Sequence, residues 1–125
     1  MSKSIKSTDS VVYGCPGCKV AGAGGFHSIP IEGPKAWGFN GDFERPTLSP
    51  SVLAKSGTFD NPGELCHTCH HFLRDGKIEY LSDCTHEFAG QTVELPEIER
   101  HPAGGIGFAD GSRGLSPMDA MEKMT

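Results

Sequence analysis

The 125-residue chain lacks long apolar runs, and aromatic residues make up only 8% of it. A membrane-spanning helix needs roughly 18 or more consecutive apolar residues, so we expect no membrane span. The residues from Met1 to Ser4 carry no apolar secretory signal, which favours a soluble, cytoplasmic protein. The chain is short and only 36% of its residues are hydrophobic, so its apolar core should be small. We therefore expect an additional stabilising cross-link, either a bound metal ion or a disulfide.

Positive charge is also scarce. The chain has 11 Lys and Arg residues against 16 Asp and Glu residues, which gives a formal net charge of -5. Lys3 and Lys6 form the only basic cluster of note, and no basic stripe is interleaved with aromatic residues. We therefore expect no nucleic acid as a partner, and the hypotheses below concern a protein substrate or a protein partner.

Cysteine and histidine, in contrast, are abundant. The chain has five cysteines and six histidines, and seven of these eleven residues lie between Cys66 and His86. An odd number of cysteines in a chain without a secretory signal favours metal binding over disulfides. Ligation dominated by thiolates closes the coordination sphere, so the expected cofactor is a structural Zn²⁺ that does not take part in chemistry.

The first two ligands are predicted by the Cys15-Pro16-Gly17-Cys18 segment, because a C-x2-C turn directs two thiolates at one ion. Cys69 and Cys84 are the favoured second pair. Three alternatives stay open at this point: Cys66 with Cys69, or one cysteine replaced by His86 or by His27. For Cys84, the alternative to a role as a ligand is that it is buried and packs as a small apolar residue.

Short apolar-alternating segments separated by glycine and proline predict a mostly β fold, a small zinc-stabilised antiparallel β domain. We expect a flexible N-terminus over residues 1–10, the zinc-binding β domain over residues 11–100, and a Gly-rich tail over residues 101–125. In that tail Ser116 and Pro117 have the residue types that begin a short helix.

The clearest local signal is a hairpin at residues 71–81, with Asp75-Gly76 as a two-residue turn. In that register Arg74 lies opposite Lys77, and His70 lies opposite Leu81. The open end of the hairpin therefore gathers the following residues, close enough to share an ion or a proton: Cys69, His70, Asp83, Cys84 and His86.

A catalytic arrangement is a further hypothesis from the same residues. Neighbours in a strand face opposite sides, so His70 can face a cleft while Cys69 holds the ion. Ser49 and Ser51 are hydroxyls on a proline-stiffened segment, and Asp83 is available to orient the imidazole. A Ser, His, Asp hydrolase is one interpretation. The alternatives are a metal-dependent hydrolase with His70 and His86 as ligands, and a non-enzymatic interaction module that binds a host protein through Trp37 and Phe39.

Several motifs together resemble a domain family of tailed phages and prophages, often labelled ammonia monooxygenase, a name that nothing in these residues supports. The resemblance covers roughly residues 11–98. The motifs are Trp37-Gly38-Phe39-Asn40-Gly41-Asp42, Pro46-Thr47-Leu48-Ser49-Pro50-Ser51, Cys69-His70 with Phe72, Asp75-Gly76, Asp83-Cys84-Thr85-His86 and Ala89-Gly90-Gln91-Thr92-Val93.

A more distant branch of that family is similar to the peptidase component of bacterial ubiquitination-like operons. This resemblance implies cleavage of a ubiquitin-like protein from its conjugate, in the cytoplasm of a bacterial host cell. It also implies that Ser51 is the nucleophile and His70 is its base. The Cys66-His67-Thr68 stretch departs from the phage pattern, which weakens the case for Cys66 as a ligand.

Overall fold

The computed structural model describes residues 2–100 and 104–110. Within them the chain is mostly β, as predicted, and it contains one short helix. The elements in chain order are β1 (Ser4–Ser7), β2 (Ser10–Gly14), α1 (Pro16–Val20), β3 (Phe26–Pro30), β4 (Gly38–Phe39), β5 (Leu48–Ser56), β6 (His67–Arg74), β7 (Lys77–Tyr80), β8 (Thr92–Glu94), β9 (Ile98–Arg100) and β10 (Ile106–Phe108).

The strands form three antiparallel sheets. One has the order β1-β2-β3, a second has the order β4-β5-β6-β7-β8, and β9 pairs with β10. The main core contains buried residues of both larger sheets, among them Val11 and Tyr13 of β2, Val52 of β5, and Leu73 of β6. Buried residues alternate along β6 with half-buried ones and, at its end, with the exposed Arg74, so one face of the five-stranded sheet lies in this core and the other is more open to solvent.

The predicted hairpin is confirmed. Arg74 pairs with Lys77 across the Asp75-Gly76 turn, and the Leu81 amide donates to the His70 carbonyl at 2.9 Å. Asp75 and Gly76 have φ values of 50° and 75°, the left-handed conformation that this two-residue turn requires. Local turn chemistry therefore determines the register of β6 and β7.

The N-terminal segment differs from the sequence prediction. Residues 1–10 were expected to be loose, but Ser4–Ser7 form β1 and pair with β2. Ser4 is buried, and its hydroxyl donates to the Phe43 carbonyl at 2.9 Å. A polar, Ser-rich segment becomes ordered here because its backbone completes a sheet edge.

Strands β9 and β10 had no clear sequence signal. Ile98 and Phe108 form a small second cluster with Val12, which explains why this Gly-rich region folds back. The predicted helix that begins at Ser116 and His101 both lie outside the described residues. The part of the chain that is described contains no helix with the length and hydropathy needed to span a lipid bilayer.

Candidate active site and metal centre

Four buried side chains meet between the two larger sheets. The ligand atoms of Cys15, Cys18, His27 and Cys69 all lie within 4.8 Å of one another. The Sγ atoms of Cys15 and Cys69 are 3.7 Å apart, and Cys18 Sγ lies 3.5 Å from His27 Nε2. A tetrahedron with metal–ligand bonds of about 2.3 Å to sulfur and about 2.0 Å to nitrogen has S–S edges of about 3.8 Å and S–N edges of about 3.5 Å. This group could hold a metal ion.

Local structure explains why three of these residues come from one region. Cys15 directly follows β2 and caps α1, where its Sγ accepts from the Cys18 amide at 3.4 Å. His27 reaches the same place because it pairs with Tyr13, two residues before Cys15, across β2 and β3. Cys69 comes from β6 of the other sheet. An ion bound here would join the two sheets directly.

Two neighbouring side chains, Tyr80 and His71, lie within hydrogen-bonding distance of the sulfurs. Tyr80 Oη accepts the Gly17 amide proton at 3.0 Å and lies 3.2 Å from Cys15 Sγ, so its own proton is directed at that sulfur. His71 Nδ1 lies 3.3 Å from Cys69 Sγ. Burial lowers the pKa of His71 to about 3, which keeps its ring neutral. Such outer hydrogen bonds are typical of metal centres, where they orient ligands and stabilise thiolate charge.

The pKa values of the three thiols are strongly linked. Burial raises the pKa of Cys15, but hydrogen bonds from Cys18, Cys69 and His27 lower it further than burial raises it, so the net shift is downward. The pKa values of Cys18 and Cys69 are raised, in both cases first by the hydrogen bond to Cys15. Without a cation the cluster therefore favours one thiolate at Cys15. A bound cation would allow all three sulfurs to ionise.

Cys84 and His86 lie beside this cluster. Their ligand atoms form a second group with Cys69, again within 4.8 Å. His86 Nδ1 accepts the Phe88 amide proton at 3.2 Å, which places the proton of a neutral ring on Nε2. That buried Nε2 has no hydrogen-bond partner among the described residues. In this tautomer Nε2 carries a proton rather than a lone pair.

The structure thus brings together three of the four ligands predicted from the sequence, Cys15, Cys18 and Cys69. The fourth, Cys84, belongs to the second group, whereas the alternative His27 belongs to the first. Cys66 is exposed, and all five cysteines are free thiols. Which atoms bind an ion stays a prediction. His27 could have been ranked higher from sequence by pairing the strand before Cys15 with the strand that contains His27.

The predicted catalytic residues also lie in contact. Ser51 Oγ is 3.3 Å from His70 Nε2. On the other side of the ring, His70 Nδ1 is 3.0 Å from Asp83 Oδ2 and 3.2 Å from Oδ1. The side chain of His70 is 25% exposed and that of Asp83 is 57% exposed. This Ser, His, Asp chain of contacts has the order found in serine hydrolases and is open to solvent.

An irregularity in β5 positions Ser51. Leu48 pairs with Leu73 and Val52 pairs with His71, so four steps along β5 match two steps along β6. The extra residues include Ser51 and the cis Ser49–Pro50 peptide. Trp37 Nε1 donates to the Ser51 carbonyl at 3.4 Å. Bulges of this kind redirect side chains next to active sites, and this one brings Ser51 to His70.

The two aromatic residues of the alternative interaction module are partly engaged elsewhere. Besides its contact with Ser51, Trp37 packs against the main core, and so does Phe39. His70, a ligand in the metal-hydrolase alternative, belongs to neither of the metal-competent groups found among residues 2–100 and 104–110. The observed side-chain contacts of His70 are with Ser51 and Asp83.

The structure thus combines a Ser51–His70–Asp83 contact series with a Cys/His cluster that could hold a metal ion, both on a β scaffold. A family model described as the bacterial ubiquitination-like system serine protease (BubE) matches residues 1–81. The chain belongs to this family. The matched region includes Ser51 and His70 and ends two residues before Asp83. No curated protein and no solved structure matches the chain.

Proposed function

We propose that the chain is a serine peptidase that cleaves a ubiquitin-like protein from its conjugate. The observation that carries this proposal is the contact series from Ser51 through His70 to Asp83, within a chain of the ubiquitination-like protease family. Such a system supplies protein partners or substrates, and the exposed site on the open sheet face suits a macromolecular substrate.

The roles of the three residues are assigned from their geometry. Ser51 Oγ attacks the scissile carbonyl, and His70 Nε2 takes the hydroxyl proton and returns it to the leaving group. Asp83 accepts from His70 Nδ1, which keeps the acceptor lone pair on Nε2, facing Ser51. Backbone amides near Ser51 stabilise the negative charge that develops on the carbonyl oxygen.

We propose Zn²⁺ as the metal, held by Cys15, Cys18, His27 and Cys69. Three sulfurs and one imidazole nitrogen suit zinc, and four protein ligands fill a tetrahedral sphere. When bound, the ion supplies structural cross-linking and no open position for substrate. Its role is to hold β6, which carries His70, against the three-stranded sheet.

The test uses a fluorophosphonate probe, which forms a covalent bond with an activated serine and needs no knowledge of the substrate. The purified chain should be labelled at Ser51, as located by peptide mass spectrometry. Labelling should disappear in Ser51→Ala and His70→Ala. Ser49→Ala is the matched control, because Ser49 is exposed on the same segment and should leave labelling intact.

The substrate class is tested separately with a fusion of the ubiquitin-like protein of such a system to a reporter. Release of the reporter by the parent, but not by Ser51→Ala, supports the proposal. A folded, metal-loaded Ser51→Ala variant that cleaves every substrate of the parent would overturn it.

A further inference from the structure

On its β7 side, strand β6 loses its pairing partner at His70, whereas on the other side His70 still pairs with Leu53 of β5. The β6–β7 ladder runs from Arg74 to His71, which pairs with Tyr80, the last residue of β7. Beyond Tyr80 the chain leaves the ladder, and only the Leu81 amide still reaches the His70 carbonyl. The amide of His70 would otherwise lack a strand partner on this side. A part-buried amide without a partner costs free energy, so its contacts here are informative.

The side chain of Cys84 occupies this position. Its Sγ lies 3.2 Å from the His70 amide nitrogen and 3.1 Å from the His70 carbonyl oxygen. A thiol can accept the N–H and donate its own S–H to the carbonyl at the same time. A metal-bound thiolate has no proton for the carbonyl. The two contacts therefore fit a thiol that bridges the backbone of His70.

The same turn carries Asp83. The Cys84 amide donates to the Leu81 carbonyl at 3.2 Å, which closes a turn around Asp83. The next residue, Thr85, donates its amide to the Thr68 carbonyl at 3.0 Å. The loop therefore follows β6 on both sides of Asp83, and the thiol of Cys84 contacts both the amide and the carbonyl of His70.

We propose that Cys84 is a positioning residue for the His70–Asp83 pair and that it is not a ligand of the metal. Its thiol takes the place of the missing strand partner and holds the loop so that Asp83 faces His70 Nδ1. The catalytic consequence rests on the proposed peptidase function. The positional part does not, because it concerns only the contacts of His70, Asp83 and Cys84.

The experiment compares Cys84→Ala and Cys84→Ser with Cys66→Ala, a control at an exposed cysteine. Three quantities are measured on the full chain loaded with zinc. Zinc affinity comes from competition with a chromophoric chelator. The His70 ring tautomer and its Nδ1–H resonance come from NMR. The rate of fluorophosphonate labelling at Ser51 reports on the reaction.

We expect both Cys84 variants to bind zinc within about tenfold of the parent, whereas loss of a true ligand should cost far more. In Cys84→Ala the Nδ1–H resonance should weaken or shift, and labelling should slow by about ten- to a hundredfold because the His70–Asp83 geometry is loosened. Cys84→Ser should restore most of both signals, since a hydroxyl can also accept and donate.

Two results would overturn the proposal. One is zinc affinity reduced by more than about a hundredfold in Cys84→Ser, which would make Cys84 a ligand. The other is an unchanged His70 resonance in a folded Cys84→Ala variant. If Cys84→Ala does not fold, zinc affinity and the His70 resonance of Cys84→Ser decide. If the parent is not labelled at all, the peptidase proposal fails, while these two measurements still judge the role of Cys84.

Discussion

Cys69 and His70 are consecutive residues of β6 that serve opposite faces of the same sheet. Cys69 is fully buried in the metal-competent cluster, whereas the His70 side chain is 25% exposed and contacts Ser51 and Asp83. Adjacent residues of a strand point to opposite sides, so one short segment can serve both sites. The position of the proposed base is thereby coupled to the proposed ion through a single peptide unit.

The first prediction concerns removal of the metal. Treatment of the zinc-loaded chain with a strong chelator should lower its melting temperature and, with it, the labelling of Ser51. The physical reason is that Cys15, Cys18 and Cys69 are buried and lose the cation that compensates their charge. Calorimetry and probe labelling are measured on the same samples.

Ser51→Ala provides the control for this experiment, because its melting temperature should fall to the same extent on chelation. Labelling that disappears from the parent while the melting temperature stays constant would contradict a structural ion. That outcome would favour an ion that takes part in the chemistry.

The second prediction separates the members of the Cys66-x-x-Cys69 pair. Cys69→Ser should lose most of its bound zinc and be strongly destabilised, because its sulfur lies 3.7 Å from Cys15 Sγ inside the core. Cys66→Ser should keep the zinc content and stability of the parent, since Cys66 is exposed. Elemental analysis and thermal melting give both quantities. Loss of zinc from Cys66→Ser would contradict the proposed ligand set.

The sequence was most informative where structure is local. The Asp75-Gly76 turn fixes the register of β6 and β7, and this register alone places His70 beside the loop that carries Asp83. The alternation of β6 then separates Cys69 from His70. These relationships need no long-range information, because turn chemistry and strand period determine them.

Other features depend on contacts that the sequence does not encode locally. The closeness of His27 to Cys15 and Cys18 requires the pairing of β2 with β3, and the contact of Ser51 with His70 requires the bulge in β5. The N-terminal segment likewise forms the ordered strand β1 only through its pairing with β2. The position of Cys84 shows the same limit. The geometry of the β6–β7 hairpin predicts that Cys84 lies near the open end of the hairpin. It does not predict that the Cys84 sulfur contacts the His70 backbone.

The third prediction concerns the orientation of the proposed base. Asp83→Asn preserves the shape of the side chain but can present an N–H to His70 Nδ1, which favours the ring tautomer with the proton on Nε2. That tautomer cannot accept the Ser51 proton, so Ser51 labelling and peptide cleavage should fall by up to about 10⁴-fold. NMR of the ring nitrogens should show the change of tautomer directly.

Asp60→Asn is the matched control, because Asp60 is an exposed carboxylate in the loop between β5 and β6. It should leave both the tautomer and the labelling rate unchanged. An Asp83→Asn variant with the parent's labelling rate would show that Asp83 does not orient His70.

The fourth prediction tests the packing of α1 against His86. A Cβ at Gly17 would lie 2.3 to 2.5 Å from three atoms of the His86 ring, so Gly17→Ala forces the ring or the helix to move. Alanine is intrinsically favoured over glycine in a helix by about 1 kcal/mol, which opposes this effect. Since overpacking of a buried site costs about 1–3 kcal/mol, we expect a net decrease in the free energy of unfolding.

Gly63→Ala is the control, because a Cβ there meets no atom within 4 Å. Denaturant unfolding of the two zinc-loaded variants, compared with the parent, gives the difference in stability. His86 also lies near Cys69 and Cys84, so displacement of its ring should weaken zinc binding in Gly17→Ala but not in Gly63→Ala. If Gly17→Ala is as stable as Gly63→Ala and binds zinc as tightly, the His86 ring does not lie against α1.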